Sequence, residues 1–526
     1  MRPTFFLFFL LFITSRMLAQ EGYHNPIVPG FNPDPSVCRV GDDYYLTTSS
    51  FEYFPGLPIY HSKDLVNWQQ IGHCLNRDSQ LDLRKAGASG GLYAPSLRYH
   101  KGTFYVICTN VSAGGNFFCT ATDPAGPWSD PVWVDVKSID PDIFWDENDD
   151  AYFITQGDAG IRVTPINVKT GKVTGPERLV WGGIGGRFPE APHLYKKDGY
   201  YYLLLAEGGT EYMHGVTIGR SKSIYGPYES CPLNPILTHA NRKGQSSQIQ
   251  GTGHADLIQA HDGSWWAVFL AFRVTTAWSN FHILGRETYL APVDWPTNGW
   301  PQVNGDGTVA LDMKVTTLPL HPFEKAPVRN EFEDAAPGME WEYLRNPVRE
   351  NYSLTERRGQ LRISAAPSTL DEATTVSFIG RRQTQHEFTA TTKVTLVAGN
   401  ETDEAGMTLL QNNRHHYDLL TKKVAGKAVV QLRVRLGAIS YVVAEKQVKG
   451  ETLYLQVKGE PNTYSFYFSA TEKGKYDSLG TLDTRYLSSE VAGGFTGVMI
   501  GLYASSNGKE SKAKAYYDWF EYAIGF

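Results

Sequence analysis

The chain of 526 residues is 41% hydrophobic and 20% charged, which is the composition of a globular protein. Its length exceeds what one hydrophobic core supports and predicts two or three domains. A formal net charge of −6 at pH 7 excludes the basic surface that nucleic-acid binding needs. Aromatic residues make up 13% of the chain, which favours tightly packed β-structure or sugar-binding surfaces.

Residues 1–19 are predicted to form a cleaved secretory signal peptide. Arg2 precedes an apolar run from Phe5 to Ile13, and Ala19 follows as the expected cleavage position. No Cys lies near this position, so no lipid anchor is expected, and no later segment is apolar for long enough to span a membrane. The sequence therefore predicts a secreted protein, periplasmic or extracellular, without a membrane anchor.

The stretch GFNPDPSVCRVGDDYYLTTSSF, residues 30–51, begins a pattern that recurs along the chain. Asp34 lies between two prolines, and the second proline predicts extended backbone at this Asp. Five stretches share a small or proline-containing dipeptide, an apolar residue, a polar turn and an aromatic-rich strand. Their aromatic anchors are Tyr44, Phe104, Tyr152, Tyr201 and Trp265.

These repeats, with almost no helical periodicity, predict an all-β fold whose first domain, residues 20–320, is a five-bladed β-propeller. A long β-sandwich with chance similarity between its strands is the alternative. In a propeller the first strand of each repeat lies beside the axis, so the residues that begin the repeats converge at one end of the channel. Those residues are Asp34, Ala94, Asp140, Glu190 and His254.

Three carboxylates at one end of a channel are costly unless they have a function, because like charges repel. Considered without the other two acids, an Asp before Pro such as Asp34 is typical of a turn or of a cap at the end of a strand. Cleavage of a glycosidic bond needs one carboxylic acid and one carboxylate. We expect Asp34, near a polar turn, to be the general base and Glu190, in an apolar setting, to be the general acid. Asp140 would raise the pKa of Glu190 by charge repulsion, and acids on separate blades predict inversion of configuration.

Six motifs extend the pattern over nearly the whole chain: NPIVPGFNPDPSV, SSFEYFPGLPIYHSKDLVNW, SIDPDIFWDEND, RFPEAPHLY, GTGHADL and LGRETYLAPVDW. With them the sequence resembles glycoside hydrolase family 43, in the exo-acting β-xylosidase and α-L-arabinofuranosidase group. The resemblance implies a five-bladed propeller, an inverting mechanism, Asp34 as general base, Asp140 as pKa modulator and Glu190 as general acid.

The resemblance also implies that Arg286 reaches the sugar in the first subsite. It implies that His254 lies at the centre of the channel, where some family members hold a metal ion or water. The residues alone instead indicate that Arg286 forms an ion pair with Glu287. They indicate equally that His254 is a buried core histidine. The three acids account for the chemistry without a metal, so no cofactor is required.

Aromatic rings that stack on sugar faces are expected to form the walls of the pocket. Phe51 and Tyr53 follow the first inner strand, and Tyr93 precedes the second repeat. Family relatives with xylosidase activity usually have Trp where Tyr93 stands, which favours the α-L-arabinofuranosidase and keeps the β-D-xylosidase as the alternative. By resemblance, a loop containing Phe495 closes the site, which suits removal of single terminal sugars.

A Pro-containing linker near residues 316–329 ends the propeller pattern. Alternating apolar and polar residues then predict a β-sandwich over residues 330–526. Its first and last strands, NEFED and YYDWFEY, are expected to pair. Glu331, Glu333 and Asp518 would then be candidate ligands of a structural Ca²⁺ ion, with exposed edge acids as the alternative.

The five cysteines show no metal-binding spacing. Cys108 and Cys119 form either a disulfide across a hairpin or two buried thiols. The expected partners are plant cell-wall oligosaccharides or polysaccharide side chains, from arabinoxylan, arabinan or arabinosylated xyloglucan. A secreted carbohydrate-binding protein without catalysis is the alternative outside enzymes, and it would not need a desolvated acid at Glu190.

Overall fold

The structure of the protein is a computed structural model that describes residues 22–240, 247–275, 280–314, 317–472 and 474–525. The predicted signal peptide, residues 1–19, lies outside the described residues. The described chain is almost entirely β-structure, as the sequence predicted. Its helices are short: the 3₁₀ segments Arg349–Asn351 and Thr484–Leu487 and the α-helix Ser489–Ala492. None of the described helices is long and apolar enough to cross a membrane.

Five antiparallel sheets of four or five strands form the blades of the predicted propeller. Two-residue turns with positive φ at both positions, such as Asp198–Gly199, join strands at the angle that twisted hairpins need. The strands of blade 1 are Ser36–Val40, Asp43–Thr47, Gly56–Ser62 and Gln69–Leu75; of blade 2, Leu92–His100, Thr103–Asn110, Gly115–Ala121 and Val132–Trp133; of blade 3, Asp142–Trp145, Ala151–Gly157, Gly160–Asn167, Lys172–Val173 and Arg178–Trp181; of blade 4, Glu190–Lys197, Tyr200–Glu207, Gly215–Ser221, Glu229–Ser230 and Leu237–Thr238; and of blade 5, Ile249–Gln259, Trp265–Arg273, Glu287–Asp294 and Gln302–Val303.

The first strands of successive blades contact one another in chain order, and that of blade 5 returns to blade 1, so the ring is closed. A two-stranded sheet, Tyr23–His24 with Asp312–Met313, joins the two ends of this part of the chain. Inside the channel, the Arg98 guanidinium lies 2.7 Å from both Asp142 and Asp256. A buried cation between two buried carboxylates ties the inner strands of blades 2, 3 and 5 together.

Two eight-stranded sheets form the predicted β-sandwich. The first strand, Arg329–Asn330, pairs with the last, as the sequence predicted. One sheet contains Arg329–Asn330, Tyr352–Ser353, Leu361–Ser364, Phe388–Val397, Thr452–Gly459, Thr463–Ser469, Asp477–Asp483 and Lys514–Ile524; the other contains Tyr53–Phe54, Glu342–Leu344, Phe378–Arg382, Glu404–Asn412, His415–Val424, Lys427–Leu436, Ile439–Gln447 and Met499–Ser505.

The two domains share a strand. Tyr53–Phe54, from the propeller part of the chain, pairs with Glu342–Leu344 at the edge of a sandwich sheet. The expectation that Tyr53 forms a wall of the sugar pocket is wrong, because its buried ring packs against Phe31 and is not among the residues that line the pocket described below. The ring is needed in the core between the domains, where it fixes the sandwich to blade 1.

The structure decides between the two states of Cys108 and Cys119. All five cysteines are free and buried. Cys108 lies opposite Phe117, whereas Cys119 lies opposite Val106, so the two thiols are out of register across the hairpin. Of the two alternatives, the buried thiols are therefore confirmed, and they pack as small apolar groups.

The three acids considered for Ca²⁺ have separate partners. Glu331 pairs with Arg329 at 2.8 Å, Glu333 pairs with Arg358 at 3.4 Å, and Asp518 pairs with Lys393. Among the described residues, no three His, Cys, Asp or Glu side chains are arranged to hold a metal ion. This geometry gives the predicted calcium site no support.

Candidate active site

A narrow pocket of about 100 Å³ opens at one end of the propeller channel. All five residues that begin the sequence repeats line it, one from each blade. The sandwich contributes one further wall residue. The lining residues are Asp34, Phe51, Tyr93, Ala94, Ile139, Asp140, Glu190, Thr210, His254, Arg286 and Phe495.

Several pocket residues have an unusual backbone conformation. The φ angles of Asp34 and Asp140 are both +54°, and that of His254 is +49°. The prediction of extended backbone at Asp34 is therefore wrong: both Asp residues that precede a proline lie in the left-handed region. Aspartate tolerates this region better than most residues, at a cost of about 1 kcal/mol or more. This conformation recurs where inner strands begin beside the pocket.

Asp34 is buried and held by three neighbours. Its Oδ1 accepts a hydrogen bond of 2.8 Å from Arg286, its Oδ2 accepts one of 2.6 Å from the Ser49 hydroxyl, and His254 Nδ1 lies 3.5 Å away. Burial alone would raise the pKa of Asp34, but Arg286, His254 and Ser49 outweigh burial, and the net pKa is lowered. Asp34 is therefore ionised at neutral pH.

Arg286 binds the pocket carboxylate rather than its sequence neighbour. Glu287 pairs instead with Arg273, at 2.7 and 2.8 Å. Arg286 also donates to the Thr210 hydroxyl at 2.9 Å, and its guanidinium carbon lies 5.4 Å from the centre of the Phe495 ring. The reading of Arg286 as an ion-pair partner of Glu287 is wrong, and its side chain faces the pocket.

Glu190 and Asp140 form a coupled pair of carboxyl groups. Burial, followed by the negative charge of Asp34, raises the pKa of Glu190 to about 7. Burial and repulsion from Glu190 raise the pKa of Asp140 well above its ordinary value. Repulsion within the pair therefore keeps a proton on these two groups near neutral pH. The Ala191 N–H donates to Asp140 Oδ2 at 3.2 Å and connects Asp140 to the strand of Glu190.

The loop before Glu190 is anchored by the carboxylate of Glu207. Glu207 accepts hydrogen bonds from the Ile184 and Gly186 N–H groups at 2.9 and 2.8 Å. A Cβ at Gly183 would meet the Glu207 carboxyl at 2.1 Å, so the loop requires glycine there. The apolar setting expected around Glu190 does not come from Phe188, which lies two residues before it in the sequence and is 54% exposed.

Three aromatic rings form one side of the pocket. The Phe51 ring centre lies 5.3 Å from that of Tyr93 and 6.0 Å from that of Phe495, and Phe495 is stacked on Phe51. Phe495 belongs to the sandwich, so both domains build this wall. The structure therefore places Phe51, Tyr93 and Phe495 where the sequence analysis expected them.

His254 lies beside Asp34 in a buried environment. Burial lowers its pKa to about 4, so the ring is neutral at pH 7. The described residues contain no set of three metal-binding side chains around it. The described residues therefore add no cluster of protein ligands for the metal that the resemblance placed at His254, and that metal stays a prediction.

Sequence reasoning missed two pocket residues. Thr210 follows the second strand of blade 4, and Ile139 immediately precedes Asp140. Thr210 belongs to none of the six motifs, so no sequence signal identified it. Ile139 could have been found by its position, since residues adjacent to a repeat start also face the channel end.

An ionised carboxylate and a raised-pKa carboxyl in one pocket, beside an arginine and aromatic rings, define the site of an enzyme that hydrolyses glycosidic bonds. The profile described as Glycosyl hydrolases family 43 matches residues 23–301, and that of the Beta xylosidase C-terminal Concanavalin A-like domain matches residues 329–523. The chain belongs to glycosyl hydrolase family 43.

Relatives of similar sequence cover almost the whole chain. A non-reducing end alpha-L-arabinofuranosidase of Bacteroides ovatus is 44% identical, with 97% of each chain covered. A xylosidase/arabinosidase of Butyrivibrio fibrisolvens is 38% identical over 94% of this chain and 98% of its own.

Solved structures are similarly close in fold. One from Bacteroides ovatus, described as Xyloglucan PUL GH43B, superposes with a TM-score of 0.93 at 44% identity, covering 96% of this chain and all of its own. A xylan beta-1,4-xylosidase from Bacillus halodurans gives 0.90 at 34% identity, covering 95% and 100%.

Proposed function

We propose that this glycoside hydrolase is an inverting exo-enzyme that releases terminal, non-reducing α-L-arabinofuranosyl residues from hemicellulose side chains. The observation that carries the proposal is the different surroundings of two carboxyl groups in one pocket: Arg286 and Ser49 donate to Asp34 at 2.8 and 2.6 Å, whereas no ion pair to Glu190 is present among the described residues. Asp34 is ionised, whereas the pKa of Glu190 is raised to about 7. A general base and a general acid are thereby present together at neutral pH.

In the proposed mechanism, Glu190 gives its proton to the glycosidic oxygen as the bond to the leaving group breaks. Asp34 takes a proton from a water molecule, whose oxygen attacks the anomeric carbon from the opposite face. Asp140 modulates Glu190, since repulsion between the two groups favours retention of a proton. Arg286 holds Asp34 and hydrogen-bonds the sugar. Product analysis by proton NMR in the first minutes should show the inverted anomer; retention would assign a nucleophile to the site.

Exo action is supported by the shape of the pocket. Phe495 from the sandwich covers one side, and the pocket of about 100 Å³ is narrow. A chain running through the site in both directions would meet this wall. Early products from arabinan should therefore be arabinose alone, and a mixture of oligomers would contradict exo action.

The sugar specificity rests on two observations. The Bacteroides ovatus relative is named an arabinofuranosidase, and Tyr93 occupies a wall position. A β-D-xylosidase is the second candidate, favoured by the xylosidase/arabinosidase name of the Butyrivibrio relative. Comparing kcat/KM on 4-nitrophenyl α-L-arabinofuranoside and β-D-xylopyranoside tests this choice directly. A higher value on the xyloside would assign the second candidate.

The protein is further proposed to be exported, because residues 1–19 have the order of a secretory signal. Its substrates would then be arabinosylated plant cell-wall glycans outside the cytoplasm. Arabinoxylan, arabinan and arabinosylated xyloglucan are the candidates, and arabinose release from each ranks them. A non-catalytic sugar-binding role is disfavoured because binding alone does not require the raised pKa of Glu190.

A further inference from the structure

An open groove of about 720 Å³ runs along the propeller beside the catalytic pocket. Residues 109–116, which include the turn between two strands of blade 2, form one side, and residues 133–139 form the other. Ile139 lines both the groove and the catalytic pocket. Thr109 lies directly opposite Tyr93, a pocket residue, across the first hairpin of blade 2. The groove therefore opens on the same face as the pocket and borders it at Ile139.

The segment that ends at Ile139 alternates between exposed and buried residues. Val134 and Val136 are 4% and 7% exposed, whereas Trp133, Asp135 and Lys137 are exposed. This period of two directs the exposed residues to one side. Within the described residues, neither Asp135 nor Lys137 forms a side-chain hydrogen bond or ion pair. The groove thus presents one large ring and two unpaired polar groups that can bind hydroxyl groups.

Trp133 is held in place although 46% of its surface is exposed. Its ring centre lies 5.2 Å from that of Phe117. Gly114, with φ +85°, lies against the six-membered ring, because a Cβ there would come within 2.4 Å of the indole. A glycine that accommodates an indole and a neighbouring ring that supports it make a fixed aromatic surface. Such a surface suits stacking on the apolar face of a sugar.

The groove lies on the side where the leaving group is expected. The five blades form a closed ring around the propeller axis. Blades 3 and 4 therefore lie across the axis from blade 1, which carries Asp34. Inversion requires the water held by Asp34 to attack from the face opposite the leaving group. The leaving group therefore points towards blades 3 and 4, and the segment from Trp133 to Ile139 enters blade 3. These seven residues span at most about 25 Å, which is longer than one sugar ring.

We propose that this groove binds the main chain of a branched polysaccharide while one of its side-chain sugars occupies the catalytic pocket, with Trp133 stacking on a main-chain sugar ring. The inference rests on the proposed function and deepens it. It makes the preferred substrate a branched chain rather than a short glycoside. Asp135 and Lys137 would bind main-chain hydroxyl groups.

The test compares two substrates in wild type and Trp133→Ala. On 4-nitrophenyl α-L-arabinofuranoside, whose leaving group does not reach the groove, kcat/KM should stay within about two-fold. On a purified arabinose-bearing xylo- or xyloglucan-oligosaccharide, kcat/KM should fall by roughly five- to ten-fold, the usual effect of one lost aromatic contact. Trp133→Tyr should restore most of that loss. Leu179→Ala, which truncates an apolar residue that is 56% exposed on the outer part of blade 3, is the control.

Equal losses on both substrates would assign Trp133 a structural role and overturn the inference, as would no loss on either. Calorimetric titration of wild type and Trp133→Ala with the unbranched main-chain oligosaccharide is the second measurement. Weaker binding of this oligosaccharide by the variant supports the groove as a binding site. Failure of the wild type to cleave the aryl arabinofuranoside would refute the proposed function but not the groove. No binding to wild type, together with unchanged oligosaccharide kinetics, overturns the inference and leaves the proposed function intact.

Discussion

Asp34 and Glu190 carry the same functional group, but their surroundings move their pKa values in opposite directions. Asp34 has a guanidinium 2.8 Å away, whereas no ion pair to Glu190 is present among the described residues and Asp34 itself repels its charge. One buried pocket thereby supplies both a base and an acid. The roles of single residues can be separated by choosing the leaving group and the pH.

Glu190→Gln removes the proton donor but keeps the size of the side chain. Hydrolysis of natural linkages should fall by roughly 10²–10⁴-fold. Hydrolysis of a dinitrophenyl glycoside should fall much less, because that leaving group needs no proton. Steady-state rates on both substrates check the expectation. Equal losses would remove Glu190 from the acid role.

Asp34→Asn keeps the shape and a hydrogen-bond acceptor but removes the negative charge. Turnover should fall by orders of magnitude on every substrate, including activated ones, because each requires attack by water. Sugar binding should persist, which calorimetry with arabinose or an oligosaccharide can measure. Partial rescue by azide would show that a small anion can replace the water. A variant that stays active on activated glycosides would refute the base role.

Asp140→Asn tests the coupling within the carboxyl pair. Glu190 is active when protonated, so kcat/KM on natural linkages should fall as pH rises through about 7. In the proposed role, the charge of Asp140 adds to burial and Asp34 in raising the pKa of Glu190, so the uncharged Asn should lower that pKa and the decline should begin at lower pH. A pH profile of kcat/KM for wild type and variant measures the shift. If kcat/KM of the variant declines at the same pH as that of the wild type, Asp140 does not modulate Glu190.

At the scale of elements, the loop that brings Phe495 to the pocket is held by blade 2. The Phe495 N–H donates to the Ser89 hydroxyl at 2.8 Å, and the Ser89 N–H donates to Glu52 at 3.0 Å. Burial raises the pKa of Glu52 to about 7. This chain of contacts links the propeller turn before Tyr93 to the sandwich loop over the pocket.

Ser89→Ala should therefore weaken catalysis without unfolding the protein. Loss of one hydrogen bond worth about 1 kcal/mol corresponds to a decrease in kcat/KM of roughly five-fold, because Phe495 is less well positioned. The melting temperature should change little. Ser129→Ala, which removes a hydroxyl that accepts from Thr120 N–H in the same blade, is the control and should keep full activity. Equal activity of both variants would show that the contact does not position Phe495.

At the scale of the whole molecule, the pH dependence of stability should carry a contribution from the sandwich. His416 is buried between Asp418 at 2.9 Å and Asp371 at 3.1 Å. Burial alone would lower its pKa, but the two carboxylates raise it to about 9. A His whose pKa is raised on folding stabilises the protein fully below its unfolded pKa of about 6.5. That stabilisation, at most about 3 kcal/mol, is lost as pH rises from about 6.5 to 9.

Calorimetric melting of wild type and His416→Gln between pH 6 and 9.5 measures this contribution. The difference in melting temperature should be largest near pH 6 and should shrink towards pH 9.5. Other groups that titrate in this window, including Glu190 and Glu52, are present in both proteins and cancel in the comparison. A difference that is constant with pH would show that His416 is neutral in the folded state.

The sequence determined the local order of both domains. The five repeats were visible because each blade needs the same hairpin and aromatic packing, and period-two alternation marked the sandwich strands. The pocket acids were identified for the same reason: Asp34, Asp140 and Glu190 occupy equivalent positions in repeats that must meet at one axis. Because the repeats are local patterns, they predicted which residues, distant in the sequence, meet at the propeller axis.

The tertiary structure alone decided the contacts that no repeat encodes. The pairing of Arg286 with Asp34 rather than with Glu287 joins residues 252 positions apart. Tyr53 lies in the core between the domains rather than in the pocket because its strand pairs with Glu342–Leu344. The left-handed backbone at Asp34 opposes the local preference before proline and is maintained by its buried partners. Each of these outcomes is set by long-range burial and charge pairing, which outweigh the short-range preferences that a sequence displays.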